Sequence, residues 1–365
     1  MRRFAFVLVA ALLGVSLGAV IAELGVLSIF GEQVKFPRHV VGAPFGVRVN
    51  EPGAVYRHKS ADVNVWFRIN GQGMRADRDF AREKPPGTKR IVSLGDSFTV
   101  GYEVEGEETF SSVLEARLRA AGRQVEVLNA GVSGYGNAEE CVYLERELFA
   151  YSPDLVLVSF YQNDLVDNVR SDLFRLDGDG KLVAGADRYV PGGKLGDFLN
   201  RNPMLNWLSG YSNAFAMLKE RMNQVAKREV VERNLAQQAH AEAGAPAQSD
   251  DAEGKRERAL AAAIIERIWA DCRAHGIPLV IQSIPTPNRN FSPTDLDEVF
   301  PSADFDVHRP GLVFFPAKSI LEPHVGRDLL YYERSHQHWT PLAHRLSGEA
   351  LAQRILDANL LGAAP

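Results

Sequence analysis

Cysteine is almost missing from this chain: Cys141 and Cys272 are the only two among 365 residues. They match no metal or redox spacing. An oxidising compartment would let them pair, but their helical surroundings favour two buried free thiols. A one-signed charge excess is also lacking. The 46 acidic residues against 41 basic ones leave a formal charge of -5, and no basic stretch is interleaved with aromatics. Nothing here supports a nucleic-acid partner. Metal signals are thin as well. His336 and His338 form a His-x-His pair without a nearby third ligand, so neither a metal nor another cofactor is expected.

Long apolar runs are confined to the N-terminus. Arg2 and Arg3 precede an uncharged stretch from Phe4 to Ala22, close to the ~20 residues that span a bilayer. The leading arginines belong on the cytoplasmic side, which puts the rest of the chain outside, on the periplasmic face of an inner membrane. Val20-Ile21-Ala22 offers a cleavage site, and a secreted protein is the alternative. The apolar character resumes from Leu24 to Phe30, and the run is long for a signal peptide, so residues 1–30 read as an uncleaved anchor.

Residues 31–85 read as an irregular extension, and the main domain as 86–365. From Arg90 onward, strands and helices alternate. Arg90–Leu94, Val125–Asn129, Asp154–Phe160 and Ile277–Ile281 are compact β-branched runs. Helices are expected at Glu107–Ala121, Asn137–Ala150 and Arg256–His275, and from Pro341 to about Ala358 behind an N-cap at Thr340. Such alternation predicts an α/β fold with a central parallel sheet covered on both faces, and a ligand site at the carboxyl ends of its strands. A helical insertion at about 169–254 interrupts the pattern. It reads as a helix from Ser212 to about Gln238, then a flexible run from Ala239 to Gly254.

The residues suited to chemistry fall just after strand ends. Ser97, in Gly95-Asp96-Ser97, follows the first strand and opens a helix-competent segment, where its backbone N–H can face an oxyanion. Thr99 stands where the α/β-hydrolase elbow has its second glycine, so this is a different turn. Taken singly, such a tripeptide is more often just a strand-to-helix turn. Gly134 closes Asn129-Ala130-Gly131-Val132-Ser133-Gly134 after the second strand. Asn163 follows the third strand, where it is either a polar donor to the same point or a helix cap. His338, ahead of the Thr340-Pro341 cap, is placed to reach back as a general base.

Together these blocks resemble the SGNH/GDSL hydrolase family. The likeness rests on Gly-Asp-Ser-x-x-x-Gly at Gly95–Gly101, the block ending at Gly134, Asn163-Asp164, and His-Trp-Thr-Pro-x-x-His at His338–His344. Ile69-Asn70-Gly71-Gln72-Gly73-Met74-Arg75 is similar to a membrane-anchored bacterial branch. The resemblance implies a flavodoxin-like three-layer α/β/α sandwich. It implies Ser97 as nucleophile and His338 as base, with an oxyanion hole from the Ser97 and Gly134 N–H groups and the Asn163 amide. The family places an aspartate two or three residues before this histidine, and here those positions hold His336 and Ser335. Glu333 is the expected substitute acid, with Asp96 and His336 as secondary candidates. A dyad oriented by a backbone carbonyl, or a catalytically weak binder, are the other readings. The implied activity is extracytoplasmic hydrolysis of a small-molecule, lipid or glycan ester. The alternatives are O-acyl transfer to a cell-surface glycan, since the His-Trp-Thr end also resembles alginate-type O-acetyltransferases, and a carbohydrate-binding or assembly protein.

Overall fold

The computed structural model describes residues 2–30, 40–191, 202–219, 250–287, 295–335 and 337–362, with five isolated positions between 198 and 228. Helix α1 (Arg2–Phe30) is long and apolar enough to cross a membrane, and its best window is not buried against the protein. The stretch read as irregular holds two antiparallel hairpins. The first pairs β1 (Val40–Gly42) with β2 (Arg48–Asn50), and the second β3 (Val55–Lys59) with β4 (Asn64–Arg68). The alternation that makes the second hairpin is present in the sequence. Tyr56, His58, Val65 and Phe67 point inward, while Val55, Asn64 and Trp66 are exposed.

The main domain follows the expected alternation: β5 (Lys89–Leu94), the single-turn α2 (Ser97–Val100), α3 (Phe110–Ala120), β6 (Val125–Asn129), α4 (Asn137–Arg146), β7 (Leu155–Phe160) and α5 (Asn163–Ser171). A small hairpin of β8 (Phe174–Leu176) and β9 (Leu182–Ala184) opens the insertion, followed by α6 (Pro203–Tyr211) and a further helical stretch at 213–219. Helix α7 (Asp250–Ala274) starts six residues earlier than Arg256, so the end of the supposed flexible run is helical. Residues 239–249 lie outside the described residues. The chain then runs through β10 (Leu279–Ser283), β11 (Leu312–Pro316) and α8 (Pro341–Asp357). The sequence carried no clear sign of β11.

The five long strands are all parallel, in the order β11-β10-β7-β5-β6. This is the flavodoxin-like order, and its switch point lies between β5 and β7, the position at whose strand ends open α/β sheets bind their ligands. The strands are mostly apolar because alternate residues serve two cores. Val92, Leu94, Val156, Val158 and Ile281 face one side, with Ile264, Ile265 and Ile268 of α7. Ile91, Val127, Leu157 and Val280 face the other, with Leu114 and Leu118 of α3 and Leu351 and Ile355 of α8. The result is the expected three-layer α/β/α sandwich. Cys141 and Cys272 are both buried and unbridged, in α4 and α7.

A third, smaller core joins the second hairpin to the turn after α2, through Tyr56, Phe67, Val100 and Tyr102. Arg75 fastens this junction. Its guanidinium donates to Val100 O (3.0 Å), Gly101 O (2.7 Å) and Val104 O (2.6 Å), and it lies 3.6 Å over the Phe67 ring. Burial lowers its pKa to about 10, yet it stays charged at neutral pH. Replacing it strands three buried carbonyls, each costing ~1–3 kcal/mol when unsatisfied. Arg75→Met is therefore expected to lose ~3 kcal/mol of stability, read from urea unfolding; a loss below ~1 kcal/mol would contradict this role.

Candidate active site

Ser97 is the first residue of α2, immediately beyond the carboxyl end of β5. Asp96 caps that turn: its Oδ1 accepts from Phe98 N at 2.9 Å. The β6 loop presses close behind, since a Cβ on Gly131 would fall 2.8 Å from the Thr99 carbonyl carbon. From Arg90 to Val104, Ser97 is the one position that is not fully buried. Its hydroxyl is thus presented from a rigid turn.

His338 comes from the far end of the chain. The return before α8 is tied by a Tyr331–Trp339 bridge and by bonds from Tyr332 N to His338 O (3.0 Å) and Thr340 N to Leu330 O (2.9 Å). Thr340 sits at the N-cap position, but its hydroxyl donates to Leu329 O at 2.6 Å and so fixes the return as well. The His338 ring lies between Phe98 and Tyr102, with centroids 5.0 and 5.3 Å away, and buried Trp339 packs on Phe98. Its Nε2 is 2.8 Å from Ser97 Oγ. That is the reach needed for proton transfer.

The other ring nitrogen faces an acid that sequence reasoning missed. Glu103 Oε2 lies 3.4 Å from His338 Nδ1, and Glu103 is fully buried. Its Oε1 is 3.8 Å from Nε2 of buried His58 on β3. Glu103 adopts φ 73°, a left-handed backbone that an ordinary residue holds only at some cost, typically ~1–3 kcal/mol. Arg75 binds the carbonyls on both sides of it. Glu333, the expected acid, is exposed on the wall of a groove of about 280 Å³ with Tyr332 and Gln337. Among the described residues no hydrogen bond or ion pair joins it to His338, because the turn at 333–335 carries it outward. Asp96 is committed to its cap. His336 lies outside the described residues. The local signal for Glu103 was slight: a buried-looking Gly-Tyr-Glu-Val turn just past the serine.

Gly134 and Asn163 stand beyond the ends of β6 and β7, the two neighbours of β5. Both are part-exposed; Gly134 follows three buried residues, and Asn163 follows part-exposed Tyr161 and exposed Gln162. Gly134 has φ 78°, a left-handed conformation that favours glycine, and its carbonyl accepts from Arg48 Nη2 at 2.9 Å. Asn163 Nδ2 donates to Asp167 Oδ2 at 3.2 Å, which orients the amide. Ser97, Gly134 and Asn163 thus follow the ends of three adjacent strands, at one edge of the sheet. Such an arrangement suits attack on a carbonyl and stabilisation of the resulting oxyanion.

Below this edge lies a set of buried carboxyls. Asn137 Nδ2 donates to Glu140 Oε2 (3.1 Å) and Asp164 Oδ2 (3.2 Å), and Tyr161 N to the same Asp164 oxygen (3.0 Å). Desolvation raises Asp96 to about 7 and Glu140 to about 8, and lifts Asp164 well above the carboxylate range. His344, the last residue of the terminal motif, is structural: it accepts from Phe110 N at 3.2 Å, and burial lowers it to about 3. Among the described residues one group has metal-like spacing, Cys141, Glu145 and Asp271. Arg267 already neutralises Glu145, donating to it at 2.6 and 3.1 Å.

Residues 93–308 match the GDSL-like Lipase/Acylhydrolase family, more than half of the chain, and the chain belongs to that family. An arylesterase of Vibrio mimicus is 32% identical over 77 residues, 21% of this chain; the match spans only 38% of that enzyme. Among solved structures, a psychrotrophic esterase of Pseudoalteromonas sp. aligns over 74% of this chain and 98% of its own, at 15% identity and TM-score 0.38. A two-domain esterase active on acetylated mannans aligns over 76% and 51%, at 11% identity and TM-score 0.37. Likenesses of this size add nothing to the fold that the strand order already defines.

The buried carboxyls make stability depend on pH. In the unfolded chain a carboxyl ionises near 4, so up to about 8 the folded state holds more protons at Asp96 and Glu140. Their contribution therefore falls as pH rises. His344 opposes this only below about 6.5, above which it is neutral in both states. The urea midpoint is expected to fall between pH 6.5 and 8, with a shallower fall in Asp96→Asn; a midpoint that rises there would contradict the assignment.

Proposed function

We propose that this chain hydrolyses esters through an acyl-enzyme on Ser97. The observation that carries the reading is the 2.8 Å approach of His338 Nε2 to Ser97 Oγ at the carboxyl edge of the sheet. In the first step His338 takes the Ser97 proton as Oγ bonds to the acyl carbon. The carbonyl oxygen gains the charge and is met by the Ser97 and Gly134 N–H groups and the Asn163 amide. Collapse expels the alcohol, which takes the proton from His338. Water, activated by the same imidazole, then releases the acid and restores Ser97.

Glu103 is the third member of this relay. A buried carboxylate facing Nδ1 fixes the tautomer that leaves Nε2 free to accept, and stabilises the imidazolium formed in each step. It fills the role that Glu333 was expected to take. On the reading of α1 as an anchor with Arg2 and Arg3 inside, the reaction takes place outside the cytoplasm; the long apolar helix supports that reading. The substrate is an ester of a small molecule, lipid or glycan.

A fluorophosphonate probe tests the nucleophile. Wild type is expected to label, Ser97→Ala not at all, and His338→Ala at least ~10³-fold more slowly. Equal labelling of wild type and Ser97→Ala would remove Ser97 from the mechanism. Hydrolysis of p-nitrophenyl acetate should fall in parallel.

A further inference from the structure

Within the apolar part of α1 there is one charged residue, and the insertion holds it. Glu23 Oε1 accepts from Asn213 N and Nδ2, both at 2.9 Å; Oε2 accepts from Ser212 Oγ at 2.8 Å and Ala214 N at 3.0 Å. A carboxylate from one helix thus caps the start of another, the stretch at 213–219. Val26, almost one turn further on, is buried, as are Ala216 and Lys219. The joint is a built contact.

Its depth follows from helix geometry. The twenty residues from Arg3 to Glu23 rise ~30 Å, the thickness of a bilayer's hydrocarbon core. With the arginines at the cytoplasmic surface, Glu23 and everything bonded to it stand at the outer interface. Directly before Ser212, α6 turns an apolar face to solvent. Met204, Trp207 and Tyr211, three and four residues apart, are 65%, 60% and 58% exposed, and Trp207 stacks on Tyr211 at 5.4 Å. Such a face is unusual on a water-exposed surface, and Trp and Tyr are the types that gather at the headgroup layer.

We propose that α6 and the 213–219 helix form a foot lying in the outer interface of the membrane that α1 crosses. The occupant of the apolar face is lipid. Glu23 is the joint that fixes the height of the Ser97 domain over the bilayer. The foot's continuity with α1 favours lipid over any other partner. The proposal rests on the anchored reading of α1, so its test separates the two.

The full chain is reconstituted in phosphatidylethanolamine/phosphatidylglycerol vesicles containing lipid brominated just below the headgroup. Tryptophan emission of wild type should be quenched, and Trp207→Phe should remove at least three quarters of that quenching. The other tryptophans, Trp66, Trp269 and Trp339, belong to the extramembrane domain. Glu23→Ala, which opens the joint, should halve the quenching while the chain resists carbonate extraction. Both variants should hydrolyse a soluble ester within twofold of wild type. Release of wild type by carbonate would overturn the anchor and the foot together. Retention in the membrane with equal quenching of wild type and Trp207→Phe would overturn the foot alone. So would crosslinking of two copies through position 207 without quenching, which would give the face to a second copy.

Discussion

A serine hydroxyl gives up its proton to an imidazole only when the ring's other nitrogen is fixed and its cationic form is stabilised. In this chain the carboxylate facing that nitrogen is Glu103, six residues after the serine it serves. Much of the surrounding architecture bears on this contact. Glu103 sits in a left-handed backbone within a turn whose carbonyls are bound by Arg75, and Arg75 is stacked on Phe67 of the β3–β4 hairpin. The N-terminal extension, which lies outside the alternating α/β pattern, therefore supports the turn that carries the proposed acid. Removing it would take away His58, Phe67 and Arg75 at once.

The arrangement divides labour between two ends of the chain. One end of the proposed relay, Ser97 with Glu103, comes from the β5–α3 connection. The other, His338, arrives on a bridged return held by Thr340, Trp339 and Phe98. Because serine and acid share one short turn, their spacing is set locally, and the histidine must meet both. That differs from the pattern the family resemblance implied, in which acid and base share a loop. Near this edge, burial raises the carboxyls of Asp96 in the turn after β5, Glu140 in α4 and Asp164 in α5. Such shifts collect where function fixes the residues.

Legibility from sequence followed the length and regularity of each signal. Val125–Asn129 was readable residue for residue, and Pro341 opened its helix where the Thr-Pro pair said it would, because a doubly buried strand and a capped helix impose strong patterns. The β3–β4 hairpin carries its alternation in sequence, but its strands are short and lie among Gly- and Pro-containing turns, so the signal is weak. β11 lay in a stretch with no motif. Ser97, Gly134, Asn163 and His338 were nominated by position after strand ends. Glu103 was not, since a carboxylate's reach across a turn depends on a single backbone φ and on an arginine 28 residues upstream. Glu333 is the nearest carboxylate upstream of His338 but lies off the family's spacing, and an exposed turn carries it outward.

The claim that decides the account is that Glu103, and not Glu333, is the acid of the relay. The direct measurement is steady-state turnover of a soluble ester by Glu103→Gln and Glu333→Gln, with unfolding midpoints recorded for both. The account predicts a kcat lower by ~10²–10⁴-fold in Glu103→Gln with folding retained, and turnover within twofold of wild type in Glu333→Gln. Unchanged turnover in a folded Glu103→Gln, or the loss falling on Glu333→Gln instead, would contradict it.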